Sequence, residues 1–83
     1  MKYIAEINIM PQKALLDPQG KAVLSSANKN GFINITNVRI GKNIEIEIEA
    51  GNKNDAAQII DDLCKQILIN PVIESYKFNI IEI

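Results

Sequence analysis

Side chains able to do chemistry are few in this 83-residue chain, and histidine is not among them. Its absence removes the commonest general acid and base near neutral pH, the commonest zinc ligand and the usual base partner of a serine or cysteine nucleophile. Four arrangements remain. Glu45, Glu47 and Glu49 alternate with isoleucine, so on a strand they form one row of carboxylates about 6.5 to 7 Å apart. Such a row could share a metal with Glu6 if the first strand lies alongside. It is also what a solvated or charge-protected strand face looks like, and that reading is preferred. Cys64, the single cysteine, falls in the apolar stripe of a helix with no second thiol to resolve it, so it reads as a core thiol. Asp17-Pro18-Gln19-Gly20-Lys21 could hold an anion at a helix N-terminus, yet Asp17 as the cap already supplies negative charge there. Arg39, the only arginine, and Lys42 flank Gly41. They place two cations together, facing either solvent, a partner's carboxylate or a substrate phosphate. No catalytic residue and no metal site is assigned.

Composition narrows the setting. The length suits one domain, residues 1–83, and the net charge of −1 offers nothing to attract nucleic acid or an anionic membrane. No stretch approaches the roughly 20 apolar residues of a membrane span. The apolar run after Met1 is too short for a signal peptide, so the expected compartment is the cytoplasm. Isoleucine dominates, with 17 residues against 2 Phe, 2 Tyr and no Trp. A β-branched core favours strands, and so few aromatics leave little on which bases could stack.

The elements that carry these residues follow from periodicity. Lys2 to Met10 alternates, with Tyr3, Ala5, Ile7 and Ile9 on one face, and Pro11 ends the strand. After a loop, Asp17 as N-cap and Pro18 at the first helical position start a helix with Ala22, Val23, Leu24 and Ala27 on its apolar side; Gly31 closes it. Phe32 to Ile40 and Asn43 to Ala50 read as the next two strands. In the first of them Ile33 and Ile35 are odd but Val38 and Ile40 even, so a bulge is expected near Thr36-Asn37. Parity across the hairpin asks for a three-residue loop, Gly41-Lys42-Asn43, with Asn43 left-handed. Asn54 is expected to cap a second helix, with Asp55 in its first turn and Asp61 to Lys65 as an i,i+4 pair. Val72 to Ile83 reads as the last strand, with Tyr76, Phe78 and Ile80 inward.

The order β-α-β-β-α-β is the ferredoxin-like split βαβ plan of the α+β class: a four-stranded antiparallel sheet, spatial order 4-1-3-2, with both helices on one face. Its other face would carry Ile4, Met10 and Ile81 among polar residues, a mixed surface expected to be partly covered by another chain.

Three segments together resemble a known family. Asp17-Pro18-Gln19-Gly20-Lys21-Ala22-Val23, Val38-Arg39-Ile40-Gly41-Lys42, and Asn70-Pro71-Val72-Ile73-Glu74 with Tyr76 are similar to the signature blocks of the PurS family, the small subunit of phosphoribosylformylglycinamidine synthase. The resemblance implies a non-catalytic subunit in de novo purine synthesis. It would bridge a synthetase subunit, PurL, and a glutaminase subunit, PurQ, and assist ammonia transfer. It also implies a homodimer or pair of dimers, and a complex that uses ATP, Mg²⁺ and glutamine with no cofactor bound by this chain. Asp17, Gln19, Arg39 and Lys42 are the expected partner contacts, and Ile4, Met10 and Ile81 the expected homodimer face. A second reading on the same plan is an ACT-like module binding a small regulatory ligand. Acylphosphatase-like hydrolysis is a weak third, because the glycine-rich phosphate loop followed by arginine is missing after the first strand.

Overall fold

In a computed structural model that describes residues 1–13 and 15–83, the chain forms three strands and two helices. Ala14, in the loop expected after Pro11, lies outside the described residues. Strand β1 is Lys2–Pro11, helix α1 Pro18–Lys29, strand β2 Lys42–Glu49, helix α2 Lys53–Leu63 and strand β3 Glu74–Glu82. The last turn after α2, Cys64–Leu68, is π-helical, with the N–H of Ile69 bonded to the carbonyl of Cys64. No helix among the described residues is long and apolar enough to cross a membrane.

Strand β1 runs down the middle of the sheet, antiparallel to both neighbours, in the order β2-β1-β3. Its alternation has the expected outcome: Tyr3, Ala5, Ile7 and Ile9 are all buried. The lid over them is α2, whose Ala56, Ile60 and Cys64 recur every four residues and so form one stripe down the helix. Ile44, Ile46 and Ile48 of β2 point to the same side and pack, partly buried, against the edge of this core, while α2 makes its main contacts with β1 and β3. The cap of α2 is Asn52 rather than Asn54. Its side-chain oxygen accepts the Asp55 N–H at 2.9 Å, which is the cap-to-third-residue geometry; Asn54 lies inside the first turn.

The four-stranded sheet is not formed. The sheet has three strands, and the expected second strand, Phe32–Ile40, pairs with none of them. The remaining three occupy the places foreseen for the fourth, first and third. The physical reason lies at Gly41. A reversal there needed a left-handed residue in the loop, yet among the described residues only Gly31 has positive φ, at 94°. Asn43 is ordinary extended chain inside β2, and neither the hairpin nor the bulge at Thr36-Asn37 exists. Instead the backbone of Gly41 presses on the carbonyl of Ile9, where any β-carbon would collide. The segment before it returns along α1: Phe32 N–H bonds the carbonyl of Ala27 at one end, and Ile40 N–H bonds Asp17 at the other.

Helix α1 with its returning segment therefore forms an arm that leaves one end of the sheet. Gly20 is its only buried helical residue, and α1 builds no packed interface with the sheet. A ten-residue strand spans about 33 Å and a twelve-residue helix about 18 Å. Laid end to end they match the long dimension of 51 Å. The radius of gyration is 16.4 Å, against about 12 Å for a compact chain of this length.

The stripe on α2 makes a direct prediction. Ile60→Ala, in the closed core, should cost about 2 to 5 kcal/mol, whereas Ile59→Ala on the exposed side of the same turn should cost about 0.5 kcal/mol or less. Urea unfolding of the two variants reads the contrast, and equal losses would misplace the buried face.

Candidate functional site

Three separate stretches of sequence meet at the neck where the arm joins the sheet, beside the end of β1. Asp17 caps α1 as expected, its Oδ1 accepting the Gly20 N–H at 2.9 Å. Its other oxygen, Oδ2, accepts the N–H of Ile40 at 2.8 Å, so one carboxylate ties the start of α1 to the end of the returning segment. Gly20 has no room for a side chain, since a β-carbon would strike the Val38 carbonyl and the Asp17 carboxylate. Arg39 donates through Nη2 to the carbonyl of Pro11, closing a second tie across the neck. On the β3 side, Lys42 Nζ lies 3.6 Å from Glu74 Oε2. Gln12 pairs its backbone N–H with the Ile73 carbonyl at 2.8 Å and its side-chain amide with the Glu74 carbonyl at 3.2 Å.

The neck thus assembles all four expected contact residues. Asp17, Gln19 and Lys42 line one hollow of 380 Å³ together with Glu74. Arg39 lies on the far side of Asp17, in a second hollow of 390 Å³ that also holds Lys13 and Lys21. Sequence reasoning missed Gln12 and gave Glu74 no role. Only the position of Gln12 just after a strand-ending proline hinted at it, and Glu74 stood within a recognised block without a partner.

Electrostatics at the neck favour the ionised carboxylate. The Asp17 pKa is held below its ordinary 3.8, first by the Gly20 N–H and then by the Ile40 N–H, with a smaller contribution from Arg39. A second polar cluster lies on the helix side of the sheet. Asp61 accepts from the Tyr76 hydroxyl and pairs with Lys65 at 2.9 Å, the i,i+4 pair anticipated from spacing. The Tyr76 bond and the Lys65 pair lower the Asp61 pKa, while Asp61 raises those of Tyr76 and Lys65. Burial, followed by the nearby Asp61 charge, raises the Cys64 thiol. That makes the thiolate scarce, in keeping with a core cysteine.

The remaining expected residues are placed as follows. Ile4 and Ile81 sit directly opposite each other across β1 and β3, on the open sheet face. Met10 shares that face but pairs with Ser75, six residues and about 20 Å along the strand from Ile4. The glutamate row faces outward on β2, with Glu6 opposite Glu45. Among the described residues no three Cys, Asp or Glu side chains are grouped to hold a metal ion.

A sheet covered on one side only, with a polar neck and a projecting arm, defines a small α+β assembly module. Comparison with known proteins makes the class specific. Residues 4–82 match the family model described as PurS, phosphoribosylformylglycinamidine (FGAM) synthase. The phosphoribosylformylglycinamidine synthase subunit PurS of Synechocystis is 41% identical over 78 residues, covering 94% of this chain and 78% of the relative. The crystal structure of PurS from Methanocaldococcus jannaschii superimposes with a TM-score of 0.87 at 32% identity, covering 98% of both chains. A chain of the Thermotoga maritima PurLQS structure does so with a TM-score of 0.90 at 27% identity, over 98% of this chain and 99% of its own. The chain belongs to the PurS family of phosphoribosylformylglycinamidine synthase subunits. Nothing in these comparisons favours the ACT-like alternative.

The neck has a pH signature. Because folding lowers the Asp17 pKa, its contribution is complete above the unfolded value of 3.8 and is lost as pH falls through the lower folded value. Asp17→Ala should therefore melt a few degrees below the parent at pH 7. The gap should narrow once pH drops below 3.8. Thermal scans from pH 2 to 7 test this, and a gap that stays constant would deny the carboxylate its role.

Proposed function

We propose that this chain is the non-catalytic small subunit that holds a PurL-type synthetase and a PurQ-type glutaminase together, acting as a homodimer in the cytoplasm. In this reading the complex consumes ATP and glutamine and requires Mg²⁺, none of them handled by this chain's own side chains. The observation that carries it is the neck. The three blocks that resemble the family's signatures lie far apart in sequence yet converge on one end of the fold, through Asp17 with Ile40 and through Lys42 with Glu74. The Thermotoga maritima relative, solved as part of PurLQS, lends this support because its fold overlays nearly the whole chain.

Transfer of ammonia between two active sites sets a physical demand. The molecule must cross without being protonated or lost, so the passage has to exclude water and keep both sites in register. A rigid subunit meets that demand by position alone. Asp17, Gln19, Arg39 and Lys42 form the partner-facing end. Arg39 spends one N–H on Pro11 and keeps its other donors for a carboxylate across the interface.

Arg39→Ala in the reconstituted complex should lower glutamine-dependent turnover about tenfold, on the scale of one lost charge-assisted hydrogen bond. Ammonia-dependent turnover should change much less. Steady-state assays with each nitrogen source measure both, and equal loss of the two would remove the neck from the transfer route.

A further inference from the structure

Nine cations are carried by a chain of net charge −1, and three of them meet in one place. Lys13, Lys21 and Arg39 line the second hollow of the neck, 390 Å³ in volume, beside Asp17. Among the described residues the salt bridges are Lys42 with Glu74 and Lys65 with Asp61, so none of the three has a carboxylate partner. Asp17 is the one acid in the lining, and its two oxygens are already engaged by the N–H groups of Gly20 and Ile40. Three positive charges against one negative leave two to be balanced.

Contacts within the fold hold the hollow in shape. Arg39 donates to the Pro11 carbonyl, which anchors the guanidinium at the end of β1. The Leu15 N–H bonds the Gln12 carbonyl at 3.1 Å, closing the turn that carries Lys13. Lys21 stands in the first turn of α1, its N–H on the Asp17 carbonyl at 3.0 Å, and Gly20 lets that turn approach the Val38 carbonyl. Two exposed lysines thus stand beside one anchored arginine. The start of α1 is not what draws an anion here, since Asp17 already caps it.

We infer that this hollow binds a phosphate monoester of about the size of a sugar phosphate. A monoester carries a charge of about −1.5 to −2 at pH 7, which matches the two charges left over, whereas a single carboxylate matches only half. Arginine grips phosphate through paired N–H donors, and lysine acts as a mobile point charge. Arg39 spends one N–H on Pro11 and has enough others to serve both the hollow and an interface. A cleft lined by one sign of charge also concentrates ions of the other. Size points the same way. Small-molecule pockets begin at about 300 Å³, and Pro11, Leu16 and Val38 supply apolar wall for the carbon part of the ligand. The site goes beyond the assembly role proposed above and does not depend on it.

NMR titration of the full chain, at low salt in a phosphate-free buffer, tests the site. Ribose 5-phosphate should bind with a Kd on the order of 1 mM and shift the amides of residues around the hollow, 12–13, 15–17, 21 and 37–39. Ribose should not bind, and acetate should bind about tenfold more weakly or worse. Inorganic phosphate should bind several-fold more weakly than ribose 5-phosphate, because it leaves the apolar wall bare. Lys13→Gln with Lys21→Gln alters exposed side chains, so the fold should persist while affinity for ribose 5-phosphate falls about tenfold or more. Lys2→Gln with Lys53→Gln removes the same charge at the opposite end of β1 and should change affinity by about twofold or less. The proposal is overturned by the absence of saturable shifts at tens of millimolar, or by shifts centred elsewhere. Unchanged affinity in the Lys13 and Lys21 variant overturns it too, as does equal loss in both variants or acetate binding as tightly. Inorganic phosphate that matches ribose 5-phosphate overturns the sugar-sized ligand. All of these readings are made on the chain alone, whether or not it joins a synthetase and a glutaminase.

Discussion

The carboxylate of Asp17 accepts two backbone N–H groups from opposite ends of the arm, Gly20 at 2.9 Å and Ile40 at 2.8 Å. One side chain thereby does the work of a helix cap and of a clasp. The second bond, together with the Phe32 N–H on the Ala27 carbonyl, holds the segment before Gly41 back along α1. With the bond in place, aided by Arg39 on Pro11 and by the tight approach of Gly20 to the Val38 carbonyl, the arm is directed away from the sheet.

The rest of the molecule is arranged around that decision. The core is small, built from one face of β1 and one stripe of α2, and it accounts for only half of the helices a ferredoxin-like plan would pack there. Such a core suits a protein whose full stability is reached in an assembly. The polar residues divide in the same way. Asp61, Tyr76 and Lys65 fasten α2 to β3 and belong to the core's rim. Asp17, Arg39, Lys42 and Glu74 gather at the neck, where sheet, arm and the chain after α2 all arrive.

Membership of the PurS family gives that arrangement a purpose. A subunit whose contribution is position has little need of nucleophiles or metal ligands. Its own chemistry can be limited to hydrogen bonds that hold an end of the fold in one shape. The absence of histidine, which from composition alone argued against histidine-based catalysis, fits a non-catalytic subunit of phosphoribosylformylglycinamidine synthase.

Much was legible in the residues themselves, for a definite reason. Alternation along Lys2 to Met10 and along β2, the place of Cys64 in the apolar stripe of a helix, the Asp17-Pro18 start and the Gly31 stop are local signals, set by periods of two and of about 3.6 and by capping chemistry. Each needs only its neighbours in sequence. The path of Phe32–Ile40 was not legible, because its alternation states that the segment suits a strand but not which strand it meets. That choice turned on the backbone at Gly41 packing against Ile9, and on Asp17 and Ile40, 23 residues apart, finding each other. The convergence of Gln12, Lys42 and Glu74 was hidden for the same reason. Sequence by itself determined which elements this protein could make and which faces they would bury. Only the tertiary structure decided that one of them stays unpaired, because pairing depends on non-local contacts between groups that no period or spacing can connect.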